Sequence, residues 1–459
     1  MTAPRRDELA AVVLAAGMGT RFRSDVAKVM HRVAGRTMLR HVLDALRPLG
    51  LRQVVVVVGH QAQEVAGEAA QAEVDHLVTV LQEEQLGTGH ATAQGLALLD
   101  DAVRHVLVVP GDTPLLTPAT LERLADGDGE ATATLLTTEP EDPGGYGRII
   151  HDDAGAVVGI VEETDASGEE LAVREVNAGM YRFERAALAA SLRQLDTDNA
   201  QGEQYLTDVV SILVGRGETV RALPAPFSEV SGVNDRGELA TAGHVLRQRA
   251  LERLMRQGVT VIDPATTYVD VGVTVGRDTV LLPGCLLEGD TTVGERATIG
   301  PYSRLVDAHV EDGARVAQSH VIAASIGPQA DVGPFAYLRP GTRLERRAKA
   351  GAFVEMKNTT LGEASKAPHL AYLGDARVGR NVNFGAGSIT VNYDGFDKHE
   401  TVIEDGAFVG SDNMLVAPVH IGRGAVTGAG SVITHDVPDD ALALERSEQR
   451  TLAGWAARR

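Results

Sequence analysis

Apolar positions along this chain obey two different rules. Up to about residue 230 they gather in short, nearly continuous runs: Ala10–Ala16, Gln53–Val58 and Val106–Val109. Between the runs lie segments with helical spacing, such as Met38–Leu46 and Gly89–Leu99. Continuous β-branched strands alternating with helices predict a parallel sheet covered on both faces. Such sheets take ligands at the carboxyl ends of their strands. The loops after Ala16, Gly59 and Val109 are therefore the first places to look for a site. Residues Asp235–Gln257 hold several leucines and arginines and no proline, which predicts a connecting helix stopped by Gly258.

Beyond that helix the period changes. Val269, Val275, Leu281, Leu287, Val293, Ile299 and Leu305 stand six residues apart. The interval resumes at Ile326, Val332, Leu338 and Leu344, and again at Ile403, Val409, Leu415 and Ile421. Glycine often follows, as at Gly276, Gly300, Gly327, Gly410 and Gly422. A period of six fits neither a helix nor an alternating strand; it is the hexapeptide signature of a parallel β-helix. A generic all-β fold would not produce seven consecutive hits. Two polar stretches, Lys366–Tyr372 and Tyr393–Thr401, read as insertions, which in solenoids map to loops on one, often binding, face.

Composition narrows the picture. The 459 residues include 50 glycines and only 17 aromatics, as expected of a narrow coil core with tight corners. A net charge of −20 argues against nucleic acid as the main partner, but not against small anions gathered by local cations. The single Cys285 excludes an intrachain disulfide framework and a Cys-based zinc site. No apolar run approaches a membrane span, and the first residues lack a signal-peptide core. A cytoplasmic protein that acts on small molecules, with no membrane or nucleic-acid partner, is the expectation.

The first glycine turn reads Leu14-Ala15-Ala16-Gly17-Met18-Gly19-Thr20-Arg21, with Lys28 seven residues on. Small residues allow a nucleotide close to the backbone, exposed N–H groups satisfy phosphate oxygens, and Arg21 and Lys28 add positive charge. Phe22 stands where a dinucleotide fingerprint needs glycine, and the Gly-Lys-Ser/Thr of a P-loop is absent. Asp112 follows a strand and can be a cap or a ligand. Glu162 can be a solvated acid, Asn177 a turn residue and Arg21 a helix-start residue.

Together with Gln82–His90 (QEEQLGTGH), Pro110-Gly111-Asp112, Gly145-Tyr146-Gly147-Arg148, Val161-Glu162-Glu163 and Asn177-Ala178-Gly179, this turn resembles the sugar-1-phosphate nucleotidyltransferase family. With the hexapeptide half included, the chain from Leu9 to Arg446 is similar to the bacterial bifunctional family that acetylates glucosamine 1-phosphate and uridylylates N-acetylglucosamine 1-phosphate. The resemblance implies a Rossmann-like α/β nucleotidyltransferase domain (1–233), a linker helix (234–258) and a left-handed parallel β-helix acetyltransferase domain (259–459). It implies that Leu14, Ala15, Ala16, Gly17 and Gly111 frame the nucleotide, that Arg21 and Lys28 contact phosphate, and that Gln82, Gly87 and Thr88 read uracil. Asp112 and Asn234 would hold Mg²⁺, and Gly147, Glu162, Asn177 and Asn234 the N-acetyl sugar. UTP and acetyl-CoA would be co-substrates. The family usually has Lys or Arg at the Met18 position, Pro at Ala27 and Ser at Glu445.

In the β-helix, a histidine titrates in the range needed to deprotonate a glucosamine amine. The resemblance assigns that role to His369, with Glu355 orienting its ring. It places the sugar phosphate on Arg339, Lys357, Tyr372, Asn383 and Lys398. It places acetyl-CoA on Ala386, Asn392, Tyr393, Ser411, Ala429 and Arg446. The family is trimeric, which makes a homotrimer the expectation. Two other readings stay open: a single-activity sugar-1-phosphate nucleotidyltransferase with a structural β-helix, and a non-catalytic regulatory subunit.

Overall fold

A computed structural model of the protein describes residues 6–127 and 131–458. The chain divides into two compact units, Met1–Leu246 and Arg247–Arg459. The division falls inside one helix, Arg236–Arg256.

In the first unit, Leu9–Ala15 is a central strand, paired in parallel with Gln53–Val58 on one side and His105–Pro110 on the other. Leu77–Leu81 extends the sheet beyond Gln53–Val58. The central strand alternates its burial between two cores. Leu9, Ala11, Val13 and Ala15 pack into one, Ala10 and Val12 into the other. This is why the run is apolar at every position rather than at every second one.

The sheet is mixed, not wholly parallel as the strand–helix alternation predicts. Val176–Glu184 runs antiparallel to both His105–Pro110 and Ala133–Thr138. Residues 139–175 supply an antiparallel pair, Arg148–His151 with Val157–Val161, and a single helical turn, Gly168–Leu171. No crossover helix long enough to restore a parallel direction stands there. Gly179, at φ +73°, lies at the irregularity between Asn177 and Tyr181 where the register of Val176–Glu184 shifts.

The second unit is a coil of very short strands, each paired in parallel with the strand one turn on, as in Thr298↔Arg315 and Ser325↔Arg343. The hexad aliphatics point inward: Leu281, Ile299, Leu305, Val332 and Leu338 are wholly buried. Leu251 and Leu254 of the helix join Val269 and Val273 in the same core. Arg253 donates to the carbonyls of Val271 and Val273, both at 3.1 Å.

Two expectations change here. Lys366–Tyr372 is no insertion. Lys366–His369 is a regular strand in register with Lys349–Ala352, and Tyr372–Val378 with Glu355–Leu361. The stretch looks foreign because its inward positions are filled by the small Ala367 and Ala371 and the charged or polar Lys366 and His369 point outward. Tyr393–Thr401 does depart from the repeat: Ile389 pairs with Met414, a longer step than the ordinary coil. The corners are also not reserved for small residues. Tyr302, Phe335, Phe353 and Leu370 all adopt left-handed φ between 48° and 60°. They stand outward along the coil corner, and Phe335 stacks on Phe353 at 5.3 Å. An outward corner has room for a large side chain, and the backbone strain is outweighed by the coil-to-coil hydrogen bonds.

Candidate functional sites

A cleft of about 440 Å³ opens at the carboxyl ends of the central strands. Leu14, Ala15, Ala16, Gly17, Arg21, Lys28, Gln82, Gly87, Thr88, Asp112 and Asn234 all line it. Gly111 sits just behind, its N–H bonded to the Leu14 carbonyl at 2.9 Å. Lys28 is the hub. Its ammonium ion-pairs with Asp112 and donates to Asn234 Oδ1 at 2.9 Å, where Arg21 also donates at 3.2 Å. Gly19 lets the chain fold over Lys28: a Cβ there would lie 2.5 Å from the lysine Cβ, and φ is +67°. The segment before Lys28 is braced by Gln61, whose Oε1 accepts the Ala27 N–H at 2.7 Å and whose amide donates to the Asp25 carbonyl at 2.8 Å.

The expected sugar residues form a contiguous group. Asn177 N–H donates to the Gly147 carbonyl at 2.8 Å, and a Cβ on Gly147 would lie 3.4 Å from Glu162 Oε2. Burial pushes the Glu162 carboxyl up. A hydrogen bond from Thr207 at 3.1 Å opposes this, and Asp208 and Asp165 add to it. Asn177 is largely engaged within the fold: its Oδ1 accepts the Gly179 N–H and its amide donates to Tyr181. Tyr146 was only part of a motif in the sequence. Its phenol is pushed up to about 12 by burial and by Glu238 and Asp112, against Arg21, so it stays a neutral donor beside the Asp112 carboxylate. Gln61 and Gln85 were also missed. Gln85 donates to the Ala16 carbonyl at 3.0 Å and lies within the QEEQLGTGH string. Gln61 carries no sequence signal, because its bracing role depends on a distant loop.

On the β-helix, Arg339 directly follows the strand Tyr337–Leu338, Lys357 lies within the strand Glu355–Leu361 on the next coil, and Gly374 pairs with Lys357 one coil on. Lys398 reaches Lys357 from the insertion. Its proximity holds the Lys357 ammonium below the ordinary lysine range, aided by slight burial and by Arg339, against Asp375. Burial disfavours the Asp375 charge, but hydrogen bonds from Asn358 and Asn392 and the two lysines outweigh it and keep the carboxyl low. Lys357 and Lys398 thus share Asp375 as their acidic partner, while Arg339 pairs with Glu355. Gly374 holds the space open: a Cβ would lie 2.4 Å from the Tyr372 hydroxyl and 2.8 Å from the Asn392 amide.

His369 is exposed at the end of its strand, opposite Ala352, and its ring makes no hydrogen bond among the described residues. Glu355 lies three residues past Ala352, around the corner. Its carboxylate accepts from Arg339 at 2.7 Å, and the single chain does not join it to His369. Asn383 starts a strand on the flat side that carries Lys366, a different side from that of Tyr372. Ala386, Ser411, Ala429 and Arg446 form a seam rising from His369. Gly387 N–H donates to Leu370, Asp412 to Ala386 and Gly430 to Ser411, and Arg446 closes the series on Ala429 at 3.1 Å. Asn392 is buried and tied to Asp375, while the Tyr393 hydroxyl donates to Gly395 at 2.7 Å.

A cation-lined cleft at the switch of an α/β sheet, followed by a hexapeptide coil, is the arrangement of a two-part transferase. Residues 11–208 match the family described as MobA-like NTP transferase domain, and residues 400–435 match bacterial transferase hexapeptide, six repeats. The chain is 51% identical to the bifunctional protein GlmU of Streptomyces avermitilis, over 98% of this chain and 94% of that one. It is 51% identical to GlmU of Mycolicibacterium gilvum (98% and 92%) and 46% to that of Corynebacterium glutamicum (98% and 94%). The chain belongs to the bifunctional GlmU family.

Proposed function

We propose that this chain makes UDP-N-acetylglucosamine in two steps at two separate sites, as a precursor for cell-wall synthesis. The observation that carries the reading is that one acidic chain concentrates cations twice, at Arg21 and Lys28 and again at Arg339, Lys357 and Lys398.

On the coil, acetyl-CoA acetylates glucosamine 1-phosphate. Arg339, Lys357 and Lys398 bind the phosphate, with Tyr372 and Asn383 completing the pocket. The sugar amine attacks the acetyl carbonyl while His369 takes its proton, and the CoA sulfur leaves as thiol. Ala386, Ser411, Ala429 and Arg446 line the path of CoA, with Asn392 and Tyr393 beside it. The exposed His369 and the division of the pocket between two flat sides support completion by a second copy, within a homotrimer.

In the cleft, a phosphate oxygen of N-acetylglucosamine 1-phosphate attacks the α-phosphorus of UTP, and the bond to the departing pyrophosphate breaks. No covalent enzyme intermediate is needed, so the site works by positioning and charge neutralisation. Lys28 and Arg21 bind phosphate oxygens; Gln82, Gly87 and Thr88 face the base; Gly147, Glu162 and Asn177 hold the sugar. Asp112 and Asn234 suit Mg²⁺: both oxygens converge on one cation, the Lys28 ammonium, and a carboxylate plus an amide oxygen is a fitting hard donor pair. When bound, Mg²⁺ neutralises phosphate charge. Substrates and products are small and water-soluble, and no described helix is apolar enough to cross a membrane, which fits a cytoplasmic enzyme.

The test supplies glucosamine 1-phosphate, acetyl-CoA, UTP and Mg²⁺, and follows free thiol and pyrophosphate separately. His369→Ala abolishes thiol release only, and Asp112→Ala abolishes pyrophosphate release only. The latter is assayed with N-acetylglucosamine 1-phosphate supplied directly. Absence of thiol release from the unaltered chain favours the single-activity reading, and loss of both activities in either folded variant refutes independent sites.

A further inference from the structure

Gln82 is buried at the cleft wall, and both hydrogens of its amide are already committed. Its nitrogen lies 3.2 Å from the Gly87 carbonyl and 3.0 Å from His90 Nδ1. A carbonyl can only accept, so the amide nitrogen, not its oxygen, must face Gly87. The same nitrogen then donates to His90 Nδ1, which must carry a lone pair. The imidazole proton therefore sits on Nε2. There the Gln94 amide nitrogen is placed 3.1 Å away; two donors cannot pair, so the Gln94 amide must be turned to present its oxygen to that proton.

The result is a relay that starts on the helix Thr88–Ala97 and ends at the base. Gln94 sets the His90 tautomer, and His90 with Gly87 sets the Gln82 flip. No donor among the described residues reaches Gln82 Oε1, so the polar atom left for the cleft is an acceptor only. Gly87 can serve because it alone fits: φ is +109°, and a Cβ would lie 2.6 Å from the Gln204 carbonyl.

We infer that His90 is a positioning residue for nucleobase choice, selecting a pyrimidine with an N3–H over one with a bare N3. This rests on the reading that Gln82 faces the base. An acceptor locked in place pairs with uracil N3–H and meets the cytosine N3 lone pair with repulsion. A free amide can turn and offer its NH₂ to cytosine instead, and discrimination is lost.

The experiment measures kcat/KM for UTP and CTP with N-acetylglucosamine 1-phosphate, in the full chain and in three variants. His90→Leu keeps bulk but has no acceptor. It lowers the UTP:CTP ratio about tenfold, what one neutral hydrogen bond is worth, and the loss appears in KM for UTP. His90→Asn offers a carbonyl oxygen near the Nδ1 position and restores most of the ratio. An unchanged ratio in His90→Leu, or an equal fall in His90→Asn, overturns the relay. Gln82→Ala separates the layers. If it collapses the ratio while His90→Leu does not, only the relay is wrong. If it leaves the ratio intact, Gln82 does not read the base at all.

Discussion

Ala27 shows how one side chain can be judged only with its partner in view. Its φ of −54° suits proline, the residue the family usually carries there. In this chain, however, the Ala27 N–H is donated to Gln61 Oε1. Ala27→Pro gains backbone rigidity but strips Gln61 of its donor, so the expected net effect is a loss of about 1 kcal/mol. Gln61→Ala should cost a similar amount, and the double variant little more than either alone, a coupling that urea denaturation of the four proteins measures. Glu162 makes a pH argument at the same scale. Its raised carboxyl means that the folded state disfavours the charge. The penalty is absent below the ordinary glutamate range and complete above the raised value. Glu162→Gln should therefore melt about 2 °C higher than the parent near pH 8. That advantage should vanish near pH 4; thermal melts at the two pH values decide it, and a gain that persists in acid contradicts the assignment.

At the scale of elements, the departure from the coil repeat at Tyr393–Thr401 brings a lysine to the cation cluster. The Tyr393–Thr401 insertion is a self-braced loop. Asp394 accepts the N–H groups of Phe396 at 2.8 Å and Asp397 at 2.7 Å, and pairs with His399 at 2.8 Å. The Asp397 N–H first, then His399 and the Phe396 N–H, hold the Asp394 carboxyl far below its usual range. The next residues bring Lys398 to Lys357. Asp394→Ala should free the loop and raise KM for glucosamine 1-phosphate in acetyl transfer about tenfold. Steady-state thiol release measures this, and an unchanged KM would show that the brace does not place Lys398. His369 teaches the opposite lesson. It lies on a regular coil, so its surroundings come from register with Ala352 rather than from a break in the repeat.

For the whole molecule, the charge of −20 and the two cation clusters are compatible because Coulomb attraction between exposed charges fades over about 10 Å at moderate salt. Local cations therefore act almost independently of the distant acidic surface. The proposed homotrimer would cover the coil's exposed aromatics and complete the proposed acetyl pocket, and sedimentation at micromolar concentration should then give a mass of about three 48.4 kDa chains. A monomeric mass in a preparation fully active in acetyl transfer would remove the homotrimer. Both folds were legible from hydrophobic period, because burial on a sheet or in a coil repeats locally. Most of the cleft was legible too, since Leu14–Arg21, Lys28 and Asp112 lie in short strings after strands.

What the chain alone determined is the pair of architectures and the residue types at each strand end: apolar runs and six-residue spacing are direct imprints of which positions are buried. Only the tertiary structure decided which groups meet. Gln61 under Ala27, the antiparallel course of Val176–Glu184 and Glu355 on Arg339 rather than His369 depend on segments distant in sequence or on coil-to-coil register, and the Gln94–His90–Gln82 contacts, though local in sequence, depend on how three side chains are turned. A hydrogen bond is set by sub-ångström placement of two atoms, and no local period encodes that.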